Sequence, residues 1–280
     1  MQIRKHILFI LFSLLGLTIF SLGQPKGSLF IIGGGERSPD LTKELVSTAN
    51  LRPGDYIAVL TMATSLPEQS TSLISNQLSE FCKNRISTFN FSKEQANDDL
   101  IRIDSVRNAR LVYITGGDQN KFMNVVHGSK LYEALHYAYK NGATISGTSA
   151  GAAVMSKIMI TGSQKETGTA GDFKVIKKGN VITAEGMGLL TNTIIDQHFI
   201  MRSRYNRLLS VLGDYPDKMV VGIDESTAIV VKNKIAKVIG QSQVVVISNP
   251  KKIKTFNNNK LSFKNARFSL YMPGEQFAIN

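Results

Sequence analysis

Cysteine is almost absent from this chain. Cys82 is the only one in 280 residues, which excludes an intrachain disulfide and leaves no cysteine pair at a zinc or iron–sulfur spacing. It lies in Leu78-Ser79-Glu80-Phe81-Cys82, a helix-like amphipathic stretch where a thiol packs as a small apolar group rather than reacting. Histidine is scarce too. There are four, and His6 stands at the extreme N-terminus, so chemistry that needs an imidazole has few sources. No internal repeat, low-complexity linker or nucleic-acid-binding motif is found. The formal net charge is +12, carried by dispersed residues apart from a cluster at Lys251, Lys252 and Lys254. That distribution predicts a solvated basic surface and no nucleic-acid partner; such a surface can steer an anionic substrate.

What is present fits an ordinary globular enzyme, with 42% hydrophobic and 19% charged residues. Arg4, Lys5 and His6 precede an apolar run from Ile7 to Phe20, and small Ser21 and Gly23 follow. A basic start, a short apolar stretch and small residues at its end predict a secretory signal peptide over residues 1–23, cut after Gly23 to leave Gln24 first. A single membrane anchor is the alternative. No cysteine follows the run, which argues against a lipoprotein. Losing Arg4 and Lys5 lowers the charge from +12 to +10. Residues 24–280 then form one catalytic α/β domain, secreted or periplasmic, without stable membrane association.

Short apolar runs alternate with longer amphipathic ones, the pattern of a mostly parallel sheet covered by helices in three layers. Strands are predicted at Leu29–Ile32, Tyr56–Met62, Ile86–Phe91, Arg110–Thr115 and Ala143–Ser146. Helices are predicted over Leu41–Ala49, Leu66–Lys83 and, divided at Gly128, Asp118–Asn141, with another starting at Ala152. Later come short strands around Val181 and Ile194, a helix over Arg202–Leu212, and antiparallel strands from Val220 onwards. Asn233 and Lys234 form a hairpin turn, and Phe268–Ile279 is a strand pair around Pro273-Gly274. The lysine-rich stretch from Ser163 to Asn180 is irregular and suits a pocket rim.

Gly147-Thr148-Ser149-Ala150-Gly151 follows a strand and precedes a helix, the context of a nucleophile elbow. Glycines flank the serine because side chains there would collide in so sharp a turn. The turn raises the hydroxyl above the sheet edge and sets the Ala150 N–H at a helix start, where negative charge is stabilised. Alternatively, the motif is a glycine-rich turn with a serine cap. A nucleophilic serine needs a base. His127 and His136 fall at a helix break and within a helix, as surface or packing residues. His198 ends the strand before it, in Asp196-Gln197-His198-Phe199, and strand ends at one edge are where α/β sites assemble. The third group is a carboxylate. Asp224 and Glu225 both close the next apolar strand on opposite faces, and Glu166 and Asp196 also remain open.

The segment from Ser146 to Ser156 resembles the nucleophile region of cyanophycinases, relatives of the aspartyl dipeptidases. Asp196-Gln197-His198-Phe199 with Arg202, Arg204 and Arg207 resembles a second signature. Gly222-Ile223-Asp224-Glu225 resembles a third, and Gly116-Gly117-Asp118-Gln119 a fourth, all in family order from about Gly27 onwards. The resemblance implies a class I glutamine amidotransferase-like fold with serine in place of cysteine. It implies a triad of Ser149, His198 and Glu225, with oxyanion N–H groups at Gly117 and Ala150. It also implies a substrate pocket lined by Gln119, Asp196, Gln197, Arg202, Arg204 and Arg207. The expected activity is metal-free and cofactor-free release of β-aspartyl-arginine dipeptides from cyanophycin, a poly-aspartate with arginine on each side-chain carboxylate. Relatives with the same triad act on other aspartyl peptides. A homodimer is expected.

Overall fold

A computed structural model describes residues 24–166 and 173–279. The expected signal peptide, residues 1–23, lies outside the described residues, as do residues 167–172 of the lysine-rich stretch. The strands are β1 Ser28–Ile32, β2 Tyr56–Leu60, β3 Arg85–Phe89, β4 Leu111–Ile114, β5 Thr144–Thr148, β6 Ile158–Gln164, β7 Val181–Glu185 and β8 Thr193–Gln197. They continue with β9 Met219–Ile223, β10 Thr227–Lys232, β11 Ile235–Gly240, β12 Val244–Ser248, β13 Lys251–Thr255, β14 Leu261–Lys264, β15 Arg267–Tyr271 and β16 Gln276–Ala278. The helices are α1 Pro39–Ala49, α2 Pro67–Ser79, α3 Gln95–Asp98, α4 Leu100–Arg107, α5 Gln119–Val126, α6 Lys130–Lys140, α7 Ala150–Ala153 and α8 Tyr205–Asp214.

The central sheet has the order β16-β11-β10-β1-β5-β4-β2-β3. Its β1, β5, β4, β2 and β3 run parallel, while β10, β11 and β16 join antiparallel. Alternation along the parallel strands explains the three layers. In β1, Leu29 and Ile31 enter one core while Phe30 and Ile32 enter the other. Both faces are therefore covered, which is why β1, β2 and β4 read as apolar runs, whereas β3 at the sheet edge does not. Helices α1 and α2 cover one face through Leu41, Leu45, Ile74 and Leu78. The other face carries α4 to α7 and a second sheet of order β15-β12-β9-β8. That sheet is also two-sided: Ile195, Val221 and Val244 join the main core, while Ile194, Val220 and Val245 pack on Leu208, Val211 and Leu212 of α8.

Several local expectations shift for stated reasons. Helix α1 begins two residues early, because Ser38 Oγ accepts the Leu41 N–H and Pro39 suits the first helical turn. Helix α2 stops at Ser79, so Cys82 lies past its end, half-buried against the α1–α2 core with Sγ 3.4 Å from Leu78 O. Helix α7 is a single turn. Asn233 and Lys234, both with positive φ, form the β10–β11 turn as expected. The strands at either side of Pro273-Gly274 do not pair with each other. β15 pairs with β12 and β16 with β11, because the turn at Met272–Glu275 carries the chain from one sheet to the other and Phe277 is buried in the main core. Strands β6, β13 and β14 carry no signal that was read from the sequence. The lysines of 251–254 sit exposed on the β13–β14 ribbon.

Candidate active site

The site forms where β5, β8 and β9 end beside the loop that follows β1. Ser149 has φ 53° and ψ −107°, a backbone state that costs about 1–3 kcal/mol and is held only where the surroundings impose it. The surroundings do so. A Cβ on Gly147 would lie 2.3 Å from Gly151 O, and one on Gly151 would lie 2.5 Å from Ile114 O. The Ser149 N–H also donates to Ile32 O at 3.0 Å, tying the elbow to β1. Its side chain is half-exposed, as an elbow nucleophile requires.

His198 directly follows β8 with φ 47°. Its Nε2 is 2.9 Å from Ser149 Oγ, and its Nδ1 is 2.5 Å from Glu225 Oε1. Its N–H donates to Gly33 O at 2.7 Å. The imidazole lies on Gly34: a Cβ there would stand 2.3 Å from His198 Cε1, so no larger residue leaves room for the ring. Burial pushes the imidazole pKa below its ordinary value, more than the Glu225 hydrogen bond raises it, while Arg202 and Arg204 add to the depression. The neutral ring, able to take a proton, is thereby favoured near neutral pH.

Asp224 and Glu225 diverge as the strand period predicts. Glu225 turns to the imidazole and carries Arg202 at 3.7 Å. Asp224 is buried, accepting from the N–H groups of Ile200 and Met201 at 3.0 and 2.9 Å and from Ser242 Oγ at 2.6 Å. It holds the turn after His198. Glu166 pairs with Lys177, His127 with Glu185, and His136 with Met187 O, so none of them meets Ser149. The Gly116-Gly117 turn packs against the elbow, with a Cβ on Gly116 placed 3.4 Å from Ser149 Cβ. Among the described residues, neither the Gly117 N–H nor the Ala150 N–H has a hydrogen-bond partner.

The residues expected around the substrate fall into two groups. Gln119 and Gln197 are buried: Gln119 Nε2 donates to Ile160 O at 2.9 Å, and Gln197 Oε1 accepts from Arg204 Nη1 at 2.8 Å. Arg204 also donates to Gln197 O at 2.6 Å. Burial, then the neighbouring Arg207, lowers its pKa to about 10, which leaves it charged at neutral pH. Arg202 is exposed beside Glu225. Asp196 and Arg207 pair with each other next to Arg204. Both are buried, and the guanidinium grips both carboxylate oxygens. None of the six residues lines the cleft that opens over Ser149.

A cleft of about 310 Å³ opens over Ser149 and His198. Its walls include Gly34, Gly116 and Gly117, together with Arg37, Thr64, Ser70 and Tyr113, none of which was singled out in the sequence. Three successive glycines at the end of β1 were the available signal for the Gly33–Gly35 loop, whose Gly33 carbonyl accepts the His198 N–H and whose bare Gly34 leaves room for the ring. Arg37 and Tyr113 carried none.

The family model described as "Peptidase family S51" matches residues 57–239. The chain is 28% identical over 266 residues to a curated cyanophycinase of Trichormus variabilis, covering 91% of this chain and 86% of that protein. It is 30% identical over 227 residues to the cyanophycinase of Geminocystis herdmanii, covering 79% and 80%. Among solved structures, a peptidase from an acI-B1 Actinobacterium superposes with a TM-score of 0.65 at 19% identity, over 92% of this chain and 98% of that one.

Proposed function

This chain belongs to peptidase family S51 and is a serine-type peptidase; from that premise we propose that it hydrolyses cyanophycin to β-aspartyl-arginine dipeptides through Ser149, His198 and Glu225. The observation that carries the reading is the unbroken relay from Ser149 Oγ to His198 Nε2 at 2.9 Å and from His198 Nδ1 to Glu225 Oε1 at 2.5 Å. In this reading Ser149 Oγ attacks the scissile carbonyl carbon while His198 Nε2 takes the hydroxyl proton. Glu225 fixes the tautomer with the proton on Nδ1 and balances the imidazolium that forms. The N–H groups of Ala150 and Gly117 receive the oxygen as it becomes negative. When the tetrahedral adduct collapses, the C–N bond breaks and His198 returns its proton to the leaving amine. Water then attacks the acyl-serine with the same base, releasing the acid and restoring the hydroxyl.

Since the dipeptide keeps its side-chain amide, the bond broken is the backbone peptide bond. Support for the substrate comes from relatives named cyanophycinase along most of the chain, and from the pairing of a charged Arg204 with the Gln197 amide beside His198. Gln119, whose amide N–H is held by Ile160 O, supplies a carbonyl oxygen suited to a cationic substrate group. Arg202 is a candidate for direct substrate contact, while Asp196 and Arg207 act by holding Arg204 and Gln197. We also propose that removal of residues 1–23 delivers the enzyme to the periplasm or exterior; among the described residues no helix is long and apolar enough to cross a membrane. A homodimer remains part of the proposal.

Incubating the mature protein with cyanophycin is expected to release β-aspartyl-arginine, identified by mass spectrometry. Turnover of α- or β-aspartyl dipeptides with no release from the polymer would instead assign an aspartyl dipeptidase. A pH profile tests the base. Protonated His198 cannot accept the serine proton, so kcat/KM is expected to fall as pH drops through the His198 pKa. Because burial depresses that pKa, the acid limb should have its midpoint below the ordinary histidine value of about 6.5. A midpoint above it contradicts the assignment of His198.

A further inference from the structure

One charged side chain in the cleft has no role in the chemistry above. Arg37 stands in the loop between β1 and α1, half-buried. Its Nε donates to Gln77 Oε1 of α2 at 2.8 Å, and its guanidinium carbon lies 5.9 Å from the centre of the buried Tyr113 ring. Held by Nε and by the ring, the group keeps its two terminal nitrogens as a planar fork. Among the described residues no carboxylate lies within ion-pair distance of it. The cleft wall contains no Asp or Glu; its remaining side-chain polar groups are hydroxyls and the imidazole. The same wall contains Ser149. A fixed, half-desolvated guanidinium facing a cleft with no acid is a site for an anion, and its geometry matches a carboxylate.

We propose that Arg37 is a specificity residue that binds a free carboxylate on the substrate next to the scissile bond. The inference rests on the substrate reading above and adds to it. In cyanophycin the arginine is joined to the aspartyl side chain through its amine, so its α-carboxylate is free on every unit. Arg204 does not line this cleft and is engaged by Gln197, so the two arginines address different groups. A substrate unit lacking the carboxylate leaves a desolvated cation without its partner, and this is the stronger form of discrimination.

The test uses full-length mature protein carrying Ser149→Ala, which binds without turnover, in calorimetric titrations. The probes are a two-unit β-aspartyl-arginine oligomer and its analogue with both arginyl carboxylates converted to amides. The acid is expected to bind about 10- to 100-fold more tightly than the amide. Adding Arg37→Gln should reduce that preference to below about threefold, and Arg37→Lys should retain only part of it, since the charge survives without the fork. Binding of both oligomers with an undiminished preference in the Arg37→Gln protein overturns the inference alone. Binding of neither oligomer to the Ser149→Ala protein overturns the substrate reading and this inference with it.

Discussion

Ser149→Ala is expected to lower kcat for aspartyl-peptide hydrolysis by on the order of 10⁴–10⁶-fold while leaving the fold intact. The Ser149 hydroxyl makes its one side-chain hydrogen bond to His198 Nε2, and since both line the open cleft, water can take the place of the lost hydroxyl. The strained backbone of the elbow is set by Gly147, Gly151 and β1, and alanine bears the same strain as serine. Under the proposed mechanism, the rate that survives is expected from the N–H groups of Gly117 and Ala150 and from substrate binding. His198→Ala should be comparably severe. The double variant Ser149→Ala/His198→Ala should be no slower than either single one, because nucleophile and base act as one unit. Single-turnover assays of the three proteins measure this. A Ser149→Ala protein retaining more than about 1% of the rate, well above the residue expected for a lost nucleophile, would exclude Ser149, and independent losses in the double variant would exclude the relay.

The elbow was legible in the sequence through its local pattern, and the sheet around it through burial. Strands buried on two faces admit no polar alternation, so β1, β2 and β4 stand out as apolar runs; β5, with the sequence Thr-Ile-Ser-Gly-Thr, does not, and there the Gly-x-Ser-x-Gly pattern between a short strand and a helix was the signal. His198 was legible as a polar residue at the end of the strand that holds Ile194 and Ile195. The choice between Asp224 and Glu225 was not, because alternation says that they face opposite ways without saying which way the imidazole lies. That depends on where β8 places the His198 turn, whose N–H groups claim Asp224. The helix predicted from Arg202 begins only at Tyr205, since Ser203 has φ 47° and the turn presents Arg202 to Glu225 instead. Two strands around one Pro-Gly turn looked like a hairpin, but a local signal cannot reveal that its arms belong to different sheets. Arg37 was invisible as a site residue because its significance lies in what does not surround it.

Asp196 and Arg207 present a different case, charged residues that the resemblance implies line the substrate pocket and that the fold buries against each other. Asp196 occupies β8 with a fully buried side chain, and Arg207 is only 3% exposed on α8. Neither charge reaches water, so each depends on the other. Arg207 Nε donates to Asp196 Oδ2 at 2.7 Å, its Nη2 reaches Oδ1, and the Gln197 N–H donates to Oδ1 at 2.7 Å. Arg207→Leu removes two of these donors and leaves an anion in the core. We expect a loss of about 3–5 kcal/mol, a magnitude set by the uncompensated charge rather than by the bond itself, and a fall in Tm on the order of 10 °C. The paired change Asp196→Leu/Arg207→Met removes both charges and should recover most of that loss, since a buried ion pair is close to neutral against apolar replacement. The two outcomes separate stability from function. Asp196 Oδ1 lies 3.8 Å from Arg204 Nη1 and helps to orient it, so the paired variant should regain its melting temperature while its KM stays raised. Chemical denaturation and steady-state kinetics on the two variants read both quantities. If Arg207→Leu costs less than about 1 kcal/mol, the range of an exposed pair, the charges are solvated and the support beneath Arg204 does not exist.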